Sequence, residues 1–184
     1  MRAKFGKLIL SAILFGGLAA PAVAQDETEA AAGAETKLFG EYQDWDLYCD
    51  QTGDIIDNCR MIQPVYNDSG NKVSQAEVRA LASGDNVALL LVGAPLETFL
   101  PAGVGIAIDD GPEQTMAFEF CAPTGCFATI RLPQDALDLF IKGGAARISL
   151  VPYANRRQVV SAEFSLSGFT AAFEQLQVQA GIER

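Results

Sequence analysis

"FEFCAPTGCFATI", residues 118–130, sets two cysteines within a run of alternating apolar residues. Met116, Phe118 and Phe120 share one parity ahead of Cys121, and Phe127, Thr129 and Ile130 follow Cys126. Between the cysteines lies Ala-Pro-Thr-Gly, whose residue types favour a tight turn. Period-two alternation on both sides of a turn predicts a β-hairpin, with Cys121 opposite Cys126. Opposed residues in an antiparallel pair lie about 4.5–5.5 Å apart, a spacing that a disulfide spans. The motif therefore reads as a staple across a hairpin.

The remaining cysteines, Cys49 and Cys59, flank "DQTGDIIDN", a polar turn containing Gly53. The chain has no histidine, so a zinc site would need all four cysteines. The spacings C-x9-C and C-x4-C lack the two-residue knuckle of such sites and the C-x-x-C of redox motifs. Two local disulfides, Cys49–Cys59 and Cys121–Cys126, are expected over the crossed pairings.

Outward from the hairpin, most of the chain alternates with period two. "DWDLYC" puts Trp45, Leu47 and Cys49 on one face. "VSQAEVRALA" and "NVALLLVGA" follow, divided by Ser83-Gly84-Asp85. "GVGIAIDDG" ends in a turn, and "ARISLVPY" and "QVVSAEFSLS" come after the hairpin. Short strands punctuated by turn residues predict an all-β fold: a mainly antiparallel, disulfide-stapled β-sandwich of eight or nine strands. Two short helices are expected. "PQDALDLFIKGG" runs from Pro133 to Gly143 with Ala136, Leu137, Phe140 and Ile141 in phase. "SGFTAAFEQLQVQ" carries Phe169, Ala172, Phe173 and Leu176 on one stripe, with Ser167 as candidate N-cap.

The first 24 residues read as a signal peptide. Basic Arg2, Lys4 and Lys7 precede an apolar stretch, then Ala22-Val23-Ala24. Residues 25–37, "QDETEAAAGAETK", read as a disordered acidic tether, and 38–184 as a single β-rich domain. After cleavage no transmembrane segment is expected. The chain carries 13 Lys and Arg against 23 Asp and Glu, a net charge of −10. Loss of the three basic leader residues would make it more acidic. That balance argues against nucleic acid or an anionic membrane as partner and fits a freely dissolved protein or one meeting a basic partner.

Candidate chemistry is sparse. Without histidine there is no His-dependent triad, and no G-x-S-x-G elbow or Gly-rich phosphate loop occurs. Asp109 and Asp110 are adjacent, so on a strand they would face opposite ways; a hairpin turn accounts for them. Asp44, Asp46, Asp50, Asp54 and Asp57 lack the order of a calcium loop and read as a solvated edge, with a weak calcium site as the competing reading. No catalytic residue, metal ligand or cofactor is assigned. In "GAPLETFLPAGVG", residues 93–105, two prolines and the apolar Leu96, Phe99 and Leu100 interrupt the strands. This segment covers a sheet edge or, in the functional reading, exposes Leu96, Phe99 and Leu100 as a partner-binding patch.

"FGEYQDWDLYC", the Cys49/Cys59 pair, "APLETFLPAGVGIAID", "FEFCAPTGCFATI" and "EFSLSGFTAAFEQL" occur in that order. Together they resemble the invasion-associated locus B family of exported bacterial proteins, over residues 39–178. The resemblance implies a periplasmic or secreted β-rich domain and brings no catalytic residues. The function expected is that of a noncatalytic envelope protein that binds another protein of the envelope or of a host. The alternative is a periplasmic module for a small molecule or glycan.

Overall fold

The computed structural model describes residues 34–182. The expected signal peptide, and the tether up to residue 33, lie outside the described residues. Five strands form a meander: β1 (Glu35–Tyr42), β2 (Trp45–Thr52), β3 (Ile55–Tyr66), β4 (Lys72–Ala80) and β5 (Asn86–Ala94). The chain then crosses, through a 3-10 turn at Leu100–Ala102, to β6 (Val104–Ile108) and β7 (Gln114–Met116). It returns as β8 (Phe120–Ala122) and β9 (Gly125–Pro133), which leads into α1 (Gln134–Lys142). β10 (Ala145–Leu150), β11 (Val160–Ser165) and α2 (Phe169–Gln179) complete it. One sheet has the order β1-β2-β3-β4-β5-β9-β8, the other β11-β10-β6-β7. Every strand pair is antiparallel.

Alternation decides which face is buried. In β2 Trp45, Leu47 and Cys49 point inward; in β3 Met61 and Val65, in β4 Ala76 and Val78, in β5 Ala88, Leu90 and Val92 do the same. The smaller sheet answers with Val104, Ile106, Ala146, Ile148 and Phe164, and α2 adds Phe169, Ala172, Phe173 and Leu176. An aromatic cluster joins four elements. Trp45 meets Phe164 and Phe169 edge-on at 5.9 and 5.3 Å, and Phe169 stacks with Phe140 and Phe173 at 5.6 and 6.0 Å. The buried indole N–H donates to the Ser165 carbonyl at 3.1 Å, so no polar atom of Trp45 is left unpaired.

Both expected disulfides form, each across neighbouring strands. Cys121 stands opposite Cys126 in register, with one further pair, Ala122–Gly125, nearer the turn. Cys49 falls where the β2–β3 register slips between Tyr48 and Asp50, a bulge that holds Asn58 at φ 44°.

The structure changes several expectations. There are eleven strands among the described residues. β3, read in its first half as a turn, is the longest, at 12 residues. Its Pro64 lies past the last β2 pair, Asp46–Ile62, an edge-like place that tolerates a missing N–H. The 113–122 arm is two strands: β7 pairs with β6 and β8 with β9, so this arm changes sheet at residues 117–119. β1 begins at Glu35 and so takes in the last three residues assigned to the tether. "ARISLVPY" is strand only to Leu150. Ser167 is not the N-cap of α2: its hydroxyl donates to Gln43 Oε1, and Gly168 occupies the cap at φ 83°. A Cβ there would lie 2.0 Å from the Tyr42 carbonyl oxygen, so no other residue fits.

Candidate functional site

The crossing between the sheets exposes the apolar residues singled out above. β5 ends at Ala94, and Pro95 starts a turn closed by Thr98 N–H to the Pro95 carbonyl at 3.1 Å. Two backbone bonds then tie this loop to the one after β10: Phe99 N–H to the Val151 carbonyl at 2.7 Å and Tyr153 N–H to the Glu97 carbonyl at 2.8 Å. Thr98 is buried and bridges Pro152. With its backbone anchored this way, the loop holds Leu96 58% and Leu100 37% exposed. Phe99 is half-buried, so the three predicted residues divide into two outward and one partly inward.

Sequence reasoning missed the other half of this surface. Tyr153, 60% exposed, and Arg156 come from residues 151–159, whose start reads in the sequence as strand. The Arg156 guanidinium carbon lies 5.1 Å from the Phe99 ring centroid and 5.0 Å from that of Tyr153. The available signal was local: "PYANRR" combines a proline, an asparagine and paired arginines, a turn composition.

From Leu100 a groove of about 590 Å³ runs between Leu100–Gly103 and residues 115–121, reaching Phe118, Phe120 and Cys121. Phe120 is 50% exposed and stacks on Phe127 at 5.1 Å. The Cys121–Cys126 bridge thus borders the apolar surface and pins the three-residue β8 beside it. Cys49–Cys59 belongs to β2 and β3, separated from β9 in the sheet by β4 and β5.

A second groove of about 580 Å³ lies between α1 and the strands beneath it. Ile106, Ile108, Ile130, Leu132, Leu139 and Phe140 supply its apolar walls, and Asp109, Arg131, Asp135 and Lys142 its rim. Leu139 falls outside the buried stripe of α1, so helical periodicity does not single it out.

The carboxylates do not converge. Asp109 accepts the N–H groups of Gly144 and Ala145, both at 3.0 Å, and so fastens the α1–β10 turn to the β6–β7 turn. Asp50 accepts from Thr36 Oγ1 and Asn58 Nδ2, and pairs with Arg60 at 3.1 Å. The hydrogen bonds from Thr36 and Asn58, then the Arg60 charge, hold its pKa down at about 2. Among the described residues no three His, Cys, Asp or Glu side chains cluster as a metal site.

The fold and this surface define a disulfide-stapled, two-sheet antiparallel protein with an apolar patch at one sheet crossing. The chain belongs to the invasion-associated locus B (IalB) family, whose model matches residues 45–177. It is 31% identical over 147 residues to the invasion protein B homologs of two Brucella abortus strains, 2308 and biovar 1 strain 9-941, covering 79% of this chain and 82% of each relative. The crystal structure of invasion-associated protein B from Bartonella henselae superposes with a TM-score of 0.61 at 18% identity, over 78% of this chain and 96% of that one. The last likeness supports the fold.

Proposed function

We propose that this chain is an exported, noncatalytic protein that binds another protein, of the envelope or of a host, through the surface around Leu96 and Leu100. The observation that carries the reading is the anchoring of that loop. Both leucines stay in water while the backbone between them is bonded to the 151–153 segment. Exposed leucines on a constrained loop present apolar area that a partner can bury with little ordering cost. Two disulfides support a place outside the cytoplasm, in the periplasm or beyond it. The lack of histidine and the pairing of all four cysteines support a noncatalytic role. The relatives' name, invasion protein B homolog, makes a host surface protein a natural partner class.

A photo-crosslinking residue placed at Leu96 in the exporting cell tests this. A discrete protein adduct is expected, lost when Leu100→Asp is added, and absent when the crosslinker sits at Ser83. Adducts of equal yield from both positions, or none from Leu96, would overturn it. Intact mass of the exported protein should correspond to a chain starting at Gln25.

The groove under α1 favours a second reading, a small apolar ligand of the periplasm. Its volume falls within the range of ligand pockets. Leu139→Trp should then abolish saturable uptake of an environment-sensitive fluorophore without changing adduct formation at Leu96.

A further inference from the structure

We infer that Arg156 is the carboxylate receptor of this surface, and that the partner segment it takes is an acidic peptide with flanking apolar side chains. This rests on the binding reading above and adds the chemistry of the partner. The chain as a whole is strongly acidic, and its described cations mostly reflect that: Lys37, Arg60, Arg79, Arg131 and Lys142 each face a carboxylate. Lys72, Arg147, Arg156 and Arg157 form no such pair among the described residues, and of these only Arg156 is set against aromatic rings. Arg156 instead lies over the rings of Phe99 and Tyr153. The exposed guanidinium carries its N–H donors along its edge, and no carboxylate of the described residues pairs with them. That edge matches a carboxylate in bidentate fashion.

The loop that carries it is shaped by Asn155. The Asn155 Oδ1 accepts Arg157 N–H at 3.4 Å, its carbonyl accepts Gln158 N–H at 3.1 Å, and its amide donates to Gln158 Oε1 at 3.3 Å. These bonds shape the backbone on either side of Arg156, and the contacts with the Phe99 and Tyr153 rings hold its side chain, which lowers the ordering cost of binding. Leu96 and Leu100 lie on the loop that carries Phe99, so the same ligand meets apolar contact beside the charge. Glu97, exposed on that loop, offsets one of the two arginine charges and leaves a net positive spot on an acidic molecule. A wholly basic partner would meet repulsion here.

The test uses the intact exported chain and two synthetic peptides, Ac-Leu-Asp-Glu-Leu-NH2 and Ac-Leu-Asn-Gln-Leu-NH2. Backbone amide resonances of residues 96–100 and 153–158, present in the wild type and in every variant, are followed by NMR at fixed ionic strength. A saturable shift with the acidic peptide is expected, with affinity at least tenfold weaker for the amide peptide and for Arg156→Gln. Arg156→Lys should recover part of the loss. Equal affinity for both peptides, or an unchanged affinity in R156Q of unchanged melting temperature, would overturn the inference. Inorganic phosphate giving the same shift with equal or tighter affinity would reassign the site to a free anion. The crosslink at Leu96, repeated in R156Q, separates the two proposals. A persisting adduct with no peptide binding removes the acidic partner but leaves the binding surface. Peptide binding without any adduct in the cell removes the proposed function instead.

Discussion

Phe173 is 1% exposed and stacks on Phe169 within the aromatic cluster. Phe173→Ala should cost about 3–5 kcal/mol, the range for a buried phenylalanine, read as a lower urea midpoint. A loss under about 1 kcal/mol would be too small for a core truncation and would contradict the burial. Asp50 makes a different demand, on pH. Its folded pKa, near 2, lies below that of a free aspartate at about 3.9. The unfolded chain therefore takes up the proton first as pH falls. The stabilisation from Asp50 is complete above pH ~4 and drains away toward pH ~2. Asp50→Asn should lower the urea midpoint at pH 6 and have a much smaller effect at pH 2. An equal effect at both would show that the Thr36, Asn58 and Arg60 interactions do not depend on the charge.

At the scale of elements, each disulfide closes a small loop. With sequence separations of 10 and 5, the chain-entropy relation gives about 2.7 kcal/mol for Cys49–Cys59 and about 2 kcal/mol for Cys121–Cys126. The consequences should differ in place. β8 has only three residues and one neighbour, so replacing Cys121 and Cys126 by serine should free its amides to exchange while β4 and β5 stay protected. The Cys49/Cys59 double serine variant should instead loosen the β2–β3 bulge. Hydrogen exchange followed residue by residue distinguishes the two. Protection of β8 unchanged by loss of its bridge would mean that the Phe120–Phe127 stack suffices to hold it. α2 depends on one residue at its start: Gly168→Ala places a Cβ against the Tyr42 carbonyl and should detach the helix start or shift β1.

Across the whole molecule, the two sheets and both helices share a single apolar cluster, and Trp45, the sole tryptophan, sits in it fully buried. Unfolding should therefore be one cooperative transition, with tryptophan fluorescence and far-ultraviolet circular dichroism giving the same midpoint. Separate midpoints would mean that the smaller sheet or α2 melts on its own. Much of this architecture is legible from residues alone. Period two in "DWDLYC" and "NVALLLVGA" dictates which side chains face inward, because a strand has only two faces. Period 3.6 does the same for Phe169, Ala172, Phe173 and Leu176. Turn chemistry between Cys121 and Cys126 determines their pairing, since the hairpin brings them opposite each other. The patch at Leu96, Phe99 and Leu100 is legible as an interruption of the alternation. What the tertiary structure alone decides is which strands not joined by a tight turn are neighbours and what stands beside that patch. The change of sheet at residues 117–119 and the placing of Tyr153 and Arg156 against Phe99 depend on contacts between segments about fifty residues apart in the latter case. Local preference is nearly indifferent between sheets, because an apolar face can be buried equally well by either. The choice is made by the packing of the finished core and by the backbone bonds that tie the two loops together.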